Sequence, residues 1–260
     1  MGEKLLAGRC FIVTGGTQGL GRGIALYLAE VGAAGLTICG RNKHNGQEAA
    51  AEISGIGCSG EYVQADLTHE ADCRKVVQQA IRRFDRLDGL VNAAGLTNRG
   101  TIEDTTVELW DLLLNVNARA PFILMQETVR FMKARDVHGS IVNIVSDNCH
   151  GGQPYLTAYS ASKGALATLT KNTAHALLAD RIRVNGICIG WMYTPREHQV
   201  QLENGQPENW LEFVEREKPF KRLLRPRDVA YLTAYLLSDR SEMMTGSLID
   251  FDQKVIGGLD

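Results

Sequence analysis

A glycine-rich turn near the start of the chain constrains the fold more than any other feature. The apolar run Cys10–Thr14 leads directly into Gly15-Gly16-Thr17-Gln18-Gly19-Leu20-Gly21, and helical periodicity over Leu20–Val31 follows. Gly35–Cys39 then reads as a second buried strand, which completes a strand–helix–strand unit. Gly15 permits the sharp turn, Gly19 lets backbone approach a pyrophosphate, and Gly21 lets the helix pack closely on the sheet. The first amides of that helix face the turn unpaired, at the positive end of the helix dipole. Thr17, Gln18 and Leu20 line the same turn.

The same alternation continues to the end of the chain. Strands are expected at Tyr62–Ala65, Gly89–Asn92, Ser140–Val145, Arg183–Ile189 and Leu248–Phe251. Helices are expected at Glu70–Phe84, roughly Val107–Ala134, Ala158–Ala179 and Asp228–Leu237. Short continuous apolar runs such as Ile141-Val142-Asn143-Ile144-Val145 suit strands covered on both faces. The fold class is therefore α/β, a Rossmann-like, doubly wound parallel β-sheet with helices on both faces. No Pro/Ser-rich or charged linker divides the chain, so residues 1–260 read as one domain. Pro195–Arg225 breaks the rhythm, with helical patches such as Trp210–Glu217, and follows a strand's carboxyl end. A loop of that length is read as a substrate-binding flap over 195–225, with an oligomer contact as the alternative.

Charge and composition remove several classes of function. A net charge of −2 and the lack of a Lys/Arg run leave nothing to neutralise a nucleic-acid backbone. No segment approaches the length of a membrane span or a signal peptide, so a cytoplasmic protein is expected. The six cysteines, Cys10, Cys39, Cys58, Cys73, Cys149 and Cys188, contain no C-x-x-C pair and read as free thiols, with a reactive role for Cys149 as the alternative. His44, His69, His138, His150, His175 and His198 are dispersed without ligand-like spacing, so no metal site is expected.

Two further places carry chemistry. The second strand ends in Gly40-Arg41-Asn42, with no acidic residue to receive the 2′-hydroxyl of NAD. Arg41 can instead pair with the 2′-phosphate of NADP, so NADP(H) is favoured with NAD(H) as the alternative; a plain solvated charge is the competing reading. Tyr159 and Lys163 lie four residues apart, hence on one face of a helix. A nearby cation favours phenolate and is expected to lower the tyrosine pKa, which would let Tyr159 exchange a proton with a substrate oxygen.

With Asn92-Ala93-Ala94-Gly95 after the fourth strand and Ser146 ahead of Tyr159, the ordered set Thr14 to Gly21, Asn92 to Gly95, Ser146, Tyr159 and Lys163 resembles the short-chain dehydrogenase/reductase family, in its single-domain branch. The resemblance spans nearly the whole chain. It implies that Ser146 hydrogen-bonds the reacting oxygen, Tyr159 is the general acid/base, and Lys163 binds the nicotinamide ribose. It also implies that Asn117 holds a relay water, that Asp66 and Leu67 meet the adenine, and that Asn92, Ala93 and Gly95 lie beside the cofactor. Asp66 also reads as a helix cap. Gly190 and Thr194 match the family's loop past the carboxamide, although Ile189 stands where a proline is usual and Asp252-Gln253-Lys254 replaces Asp-Gly-Gly. A homo-oligomer, tetramer or dimer, is a further implication, with the long fourth and fifth helices packed between subunits.

The expected reaction is hydride transfer between nicotinamide and a secondary alcohol or ketone. Asn98, Asp147, Asn148, His150 and Gln153 are polar enough to meet several hydroxyls, so a sugar or polyol is the leading small-molecule substrate. Ser146, Asn148, His150, Tyr159 and Trp191 are the residues expected to touch it. His150 also reads as a loop histidine, and Trp191 and Trp210 either cover a sugar face or pack the flap. A 3-oxoacyl thioester reductase is the enzymatic rival, and a non-catalytic dinucleotide-binding sensor is the rival of another class.

Overall fold

The structure, a computed structural model, describes residues 4–256. Residues 1–3 and 257–260 of the expected 1–260 unit lie outside the described residues. Seven parallel strands form one sheet: β1 (Cys10–Thr14), β2 (Gly35–Gly40), β3 (Ser59–Gln64), β4 (Gly89–Asn92), β5 (Ser140–Ile144), β6 (Arg183–Ile189) and β7 (Leu248–Phe251). Their spatial order is β3-β2-β1-β4-β5-β6-β7. The chain runs outward from β1 to β3, then returns to lay β4 on the other side of β1, which opens a crevice beyond the carboxyl ends of β1 and β4.

Alternate side chains of each central strand enter different cores. Phe11, Val13, Val91, Val142 and Ile187 pack on one face with Ile24 and Leu28 of α1 (Gly19–Glu30), Ile53 of α2 (Lys43–Gly55) and Val229 of α9 (Pro226–Leu237). Ile12, Leu90, Ile141 and Val184 face the other way, onto Val76 of α3 (Glu70–Phe84), Leu124 of α5 (Ala120–Ala134) and Ala174 of α6 (Thr157–Ala176). Each such strand side chain contributes about 1.5–3 kcal/mol on burial, and the period of two is what makes the sheet apolar on both sides.

The structure adds to the expected elements at two places and corrects them at two. Lys43–Gly55 forms a helix that periodicity did not show, because it is largely polar and buries only Gly46, Ala49 and Ile53. Its start is specified locally: the Asn42 side chain caps it, accepting from the Asn45 amide at 3.0 Å. β3 begins at Ser59, before Tyr62, and Ala65 falls just beyond it. The single helix expected over 107–134 is divided into α4 (Val107–Leu114), a π turn at Asn115–Arg119, and α5. The 195–225 segment holds α7 (Pro195–Glu203) as well as α8 (Trp210–Glu217). Proline at the first turn and a Thr194 side chain accepting from the Glu197 amide at 3.1 Å explain where α7 starts.

Candidate active site

The glycine turn follows β1 and opens α1, as its spacing requires. Gly15 and Gly19 have φ of +65° and +53°, in the region that side chains disfavour. A Cβ on Gly15 would stand 2.9 Å from Ala94 Cα, and one on Gly21 would run into the Gly15 carbonyl. Above Gly19, in contrast, a Cβ would meet only Thr194 Cγ2, at 3.9 Å, so the turn presents open backbone toward Thr194. Gln18 precedes α1 without a side-chain cap, which leaves the helix's first amides free of an internal side-chain partner. This cradle fits a pyrophosphate, and the residues expected there, Gly15, Thr17, Gln18, Gly19, Leu20 and Gly21, are contiguous in it.

Thr14 joins this turn to the next strand. Its hydroxyl donates to the Val91 carbonyl at 3.4 Å and accepts from the amides of Ala93 and Ala94 at 3.0 and 3.1 Å. Asn92 donates to Asn143 Oδ1 at 2.8 Å, and Asn143 donates to Thr170 at 2.9 Å, so a buried amide chain connects β4, β5 and α6. Asp66 accepts from both the amide and the hydroxyl of Thr68, at 3.0 and 2.8 Å, and these bonds hold its carboxyl below the usual carboxylate range. It closes a local turn instead of capping α3, whose N-cap is His69. Leu67, beside it, accepts from the Cys73 thiol through its carbonyl. Arg41 is exposed, and among the described residues its guanidinium makes no hydrogen bond or ion pair. At Gly40, a Cβ would stand 2.6 Å from the Thr17 hydroxyl, so the end of β2 has room for no side chain.

Tyr159 and Lys163 are both buried on α6 and lie close together, Nζ 5.8 Å from the centre of the phenol ring. Lys163 donates to the Ile144 carbonyl at the end of β5, at 2.8 Å. Gly95 lies beside this pair: a Cβ there would stand 3.6 Å from Lys163 Nζ and 3.5 Å from Asn117 Oδ1. Asn117, fully buried in the π turn, accepts from the Leu96 amide at 2.9 Å and donates to the Leu96 carbonyl at 2.9 Å and to Ser162 at 3.0 Å. A π turn adds one residue to the helical repeat and is frequent at functional sites. Here it sets Asn117 against the loop after β4.

Ser146 stands at the carboxyl end of β5 and begins a single helical turn, Asp147–Cys149. Its hydroxyl donates to Asp147 at 3.2 Å and accepts from the backbone and side-chain nitrogens of Asn148 at 3.2 and 3.3 Å. Burial pushes the Tyr159 phenol up to about 12, against a lowering contribution from Ser146. Burial also brings Lys163 down to about 8. The expectation that the phenol lies below its ordinary value is therefore corrected for the protein alone: desolvation is the largest influence on both groups.

His150 is hydrogen-bonded through Nε2 to Asp250 of β7, at 2.6 Å. With Asp147, Asn148, Gln153 and Lys254 it lines a cleft of about 340 Å³. Asn98 does not line it. Trp191 stacks on Trp210 with ring centres 5.6 Å apart, and its indole donates to Glu197 at 2.7 Å. Gly190 packs so tightly on Asp252 that a Cβ would collide with that carboxyl. The unusual Gln253 and Lys254 both acquire roles: Gln253 accepts from the Phe220 amide at 2.7 Å, and Lys254 lies 3.7 Å from Asp147. Asp147, expected near the reacting carbon, accepts from Ser146, whereas Thr14 and Ser162 were not singled out as members of the site. Thr14 alone had a sequence signal, as the residue that opens the glycine turn.

The Rossmann-type sheet, with an open glycine turn beside a buried Tyr–Lys pair, and the relatives of the chain together show an NAD(P)-dependent oxidoreductase that acts on CH–OH groups. Residues 15–253 match the family described as Enoyl-(Acyl carrier protein) reductase. The chain belongs to the short-chain dehydrogenase/reductase family. It is 34% identical over 244 residues to an NADP-dependent (R)-specific alcohol dehydrogenase of Lentilactobacillus kefiri, covering 93% of this chain and 94% of that one. It is 31% identical over 255 residues to the 3-oxoacyl-(acyl-carrier-protein) reductase FabG of Thermotoga maritima, covering 98% of each chain. Among solved structures, an NAD+-bound xylitol dehydrogenase superimposes with a TM-score of 0.87 at 28% identity, covering 94% of this chain and 98% of that one. Among the described residues no helix is long and apolar enough to cross a membrane.

Proposed function

We propose that the protein interconverts a secondary alcohol and a ketone on a sugar or polyol, with NADP(H) favoured over NAD(H) and Ser146, Tyr159, Lys163 and Asn117 as its working residues. The observation that carries this reading is the adjacency of the Tyr159–Lys163 pair and the open glycine turn, joined through Ala94 and Gly95. A nicotinamide bound in the cradle supplies the hydride acceptor or donor and, when oxidised, a positive charge.

The rest falls to this chain's own side chains. With its pKa raised by burial, Tyr159 is a neutral phenol at pH 7 and holds the proton that a carbonyl oxygen needs during reduction. Oxidation takes the same proton back. Ser146 presents a hydroxyl to the same oxygen, oriented by Asn148 and Asp147. Lys163, anchored on Ile144, fixes a positive charge beneath the phenol, and Asn117 holds the loop at Gly95 and Leu96 in register with α6. Thr194 stands opposite Gly19, and Gly190, just after β6, packs on Asp252.

Arg41, unpaired and exposed beyond Gly40, supports a preference for a 2′-phosphate. The polar cleft of Asp147, Asn148, His150, Gln153 and Lys254 supports a hydroxylated substrate, as does the likeness to a xylitol dehydrogenase. Trp191, stacked on Trp210, and the 195–225 segment are read as the substrate flap of a one-domain, cytoplasmic homo-oligomer. The likeness to a 3-oxoacyl-(acyl-carrier-protein) reductase supports a second reading, reduction of a 3-oxoacyl thioester. Turnover of a polyol and sugar panel beside a 3-oxoacyl thioester separates the two. Tyr159→Phe is expected to cut turnover by about 100-fold or more while cofactor binding, followed by fluorescence, persists; undiminished turnover refutes the assignment.

A further inference from the structure

Outside the reacting groups, the fold assembles a second cluster whose members are far apart in the chain. Cys149 and His150 come from the turn after β5, Cys188 from β6, and the donor atoms of all three lie within 4.8 Å of one another. The sulfurs of Cys149 and Cys188 are 3.7 Å apart. Two thiolates on a tetrahedral cation with bonds of about 2.3 Å stand about 3.8 Å apart, so this spacing is the edge of such a tetrahedron. The other four cysteines are buried with no such partner set among the described residues.

The histidine is also prepared. Asp250, on β7, accepts from His150 Nε2 at 2.6 Å, which leaves Nδ1 with the free lone pair. A carboxylate behind a histidine is the arrangement that orients imidazole ligands and raises their basicity. We propose that Cys149, Cys188 and His150 bind one thiophilic divalent cation of the zinc class, with Asp250 as the carboxylate behind the histidine.

Charge and access suit this assignment. Two thiolates neutralise a dication, so binding adds no net charge to this part of the interior. Cys188 is buried, Cys149 half-buried and His150 on the surface side, which gives an approach from solvent and leaves a fourth position for water. Binding releases the thiol protons to solvent and needs no oxidant. The consequence is a clamp: Cys149 donates its amide to the Ser146 carbonyl at 3.0 Å, so a cation held there ties the Ser146 turn to β6 and, through Asp250, to β7. This departs from the expectation of no metal site, which spacing along the chain alone had suggested.

The test is a titration of the intact protein, reduced with a phosphine, with cobalt(II) and then zinc. One equivalent of cobalt giving a thiolate charge-transfer band, displaced by one equivalent of zinc, is expected. Cys149→Ser, at a half-buried position, should lose the band while its far-UV dichroism is unchanged, and Asp250→Asn should weaken zinc binding by about 10–100-fold. Wild-type protein without the band, or Cys149→Ser binding zinc as tightly as wild type, overturns the proposal. Reduced protein that takes up no zinc but forms a Cys149–Cys188 disulfide with hydrogen peroxide overturns it as well. None of these readouts depends on turnover.

Discussion

Lys163 holds its ammonium 5.8 Å from the centre of the Tyr159 ring and anchors it on the carbonyl of Ile144, 2.8 Å away. The contact places a cation where water is excluded, and burial lowers the lysine to about 8. Keeping a charge there costs stability, and the proposed catalytic role of Lys163 accounts for placing it there.

Lys163→Met should therefore cut turnover by about 100-fold or more and leave stability equal or improved below pH 8. The pH dependence has a definite sign. Between about 8 and 10.5 the unfolded lysine keeps a proton that the folded one has lost, so wild-type stability rises with pH across that window. The gain over the methionine variant should approach about 3 kcal/mol at the top of the window. Denaturant melts of both proteins at pH 7 and pH 10 measure it.

Asn117→Ala removes three hydrogen bonds from a fully buried amide and strands the Leu96 backbone groups that it satisfied. A loss of about 2–3 kcal/mol is expected in urea melts, with turnover falling because Gly95 and Leu96 lose their register beside Lys163.

Gly21→Ala puts a methyl against the Gly15 carbonyl, which is backbone and has little room to give. We expect about 1–3 kcal/mol of destabilisation and a loss of dinucleotide affinity measurable by fluorescence titration.

Arg41→Ala should weaken NADPH binding by about 10–100-fold through loss of a charge-assisted contact, with NADH binding unchanged. Equal affinities for both cofactors before and after the substitution would remove the basis for the NADP preference.

What could be read from the chain alone was whatever depends on near neighbours. The apolar runs at Phe11–Val13 and Ile141–Ile144 announced buried strands, Gly15 to Gly21 announced a turn followed by a helix, and the spacing of Tyr159 and Lys163 put both on one face of α6. α2 escaped because it buries only Gly46, Ala49 and Ile53, too few apolar side chains for an amphipathic signal. The π turn escaped as well, since one extra residue per turn at Asn115–Arg119 is decided by what Asn117 can reach, namely Leu96 and Ser162.

Tertiary structure alone decided the ionisation of the Tyr159–Lys163 pair, because desolvation depends on everything that covers both groups and not on their spacing. It also decided the meeting of Cys149 with Cys188 and of His150 with Asp250, residues 39 and 100 positions apart. Parallel strands are joined by long crossovers, so side chains that emerge together at their carboxyl ends are far apart in the chain. Local chemistry can specify each strand and helix, but only the closed sheet sets which ends share a site.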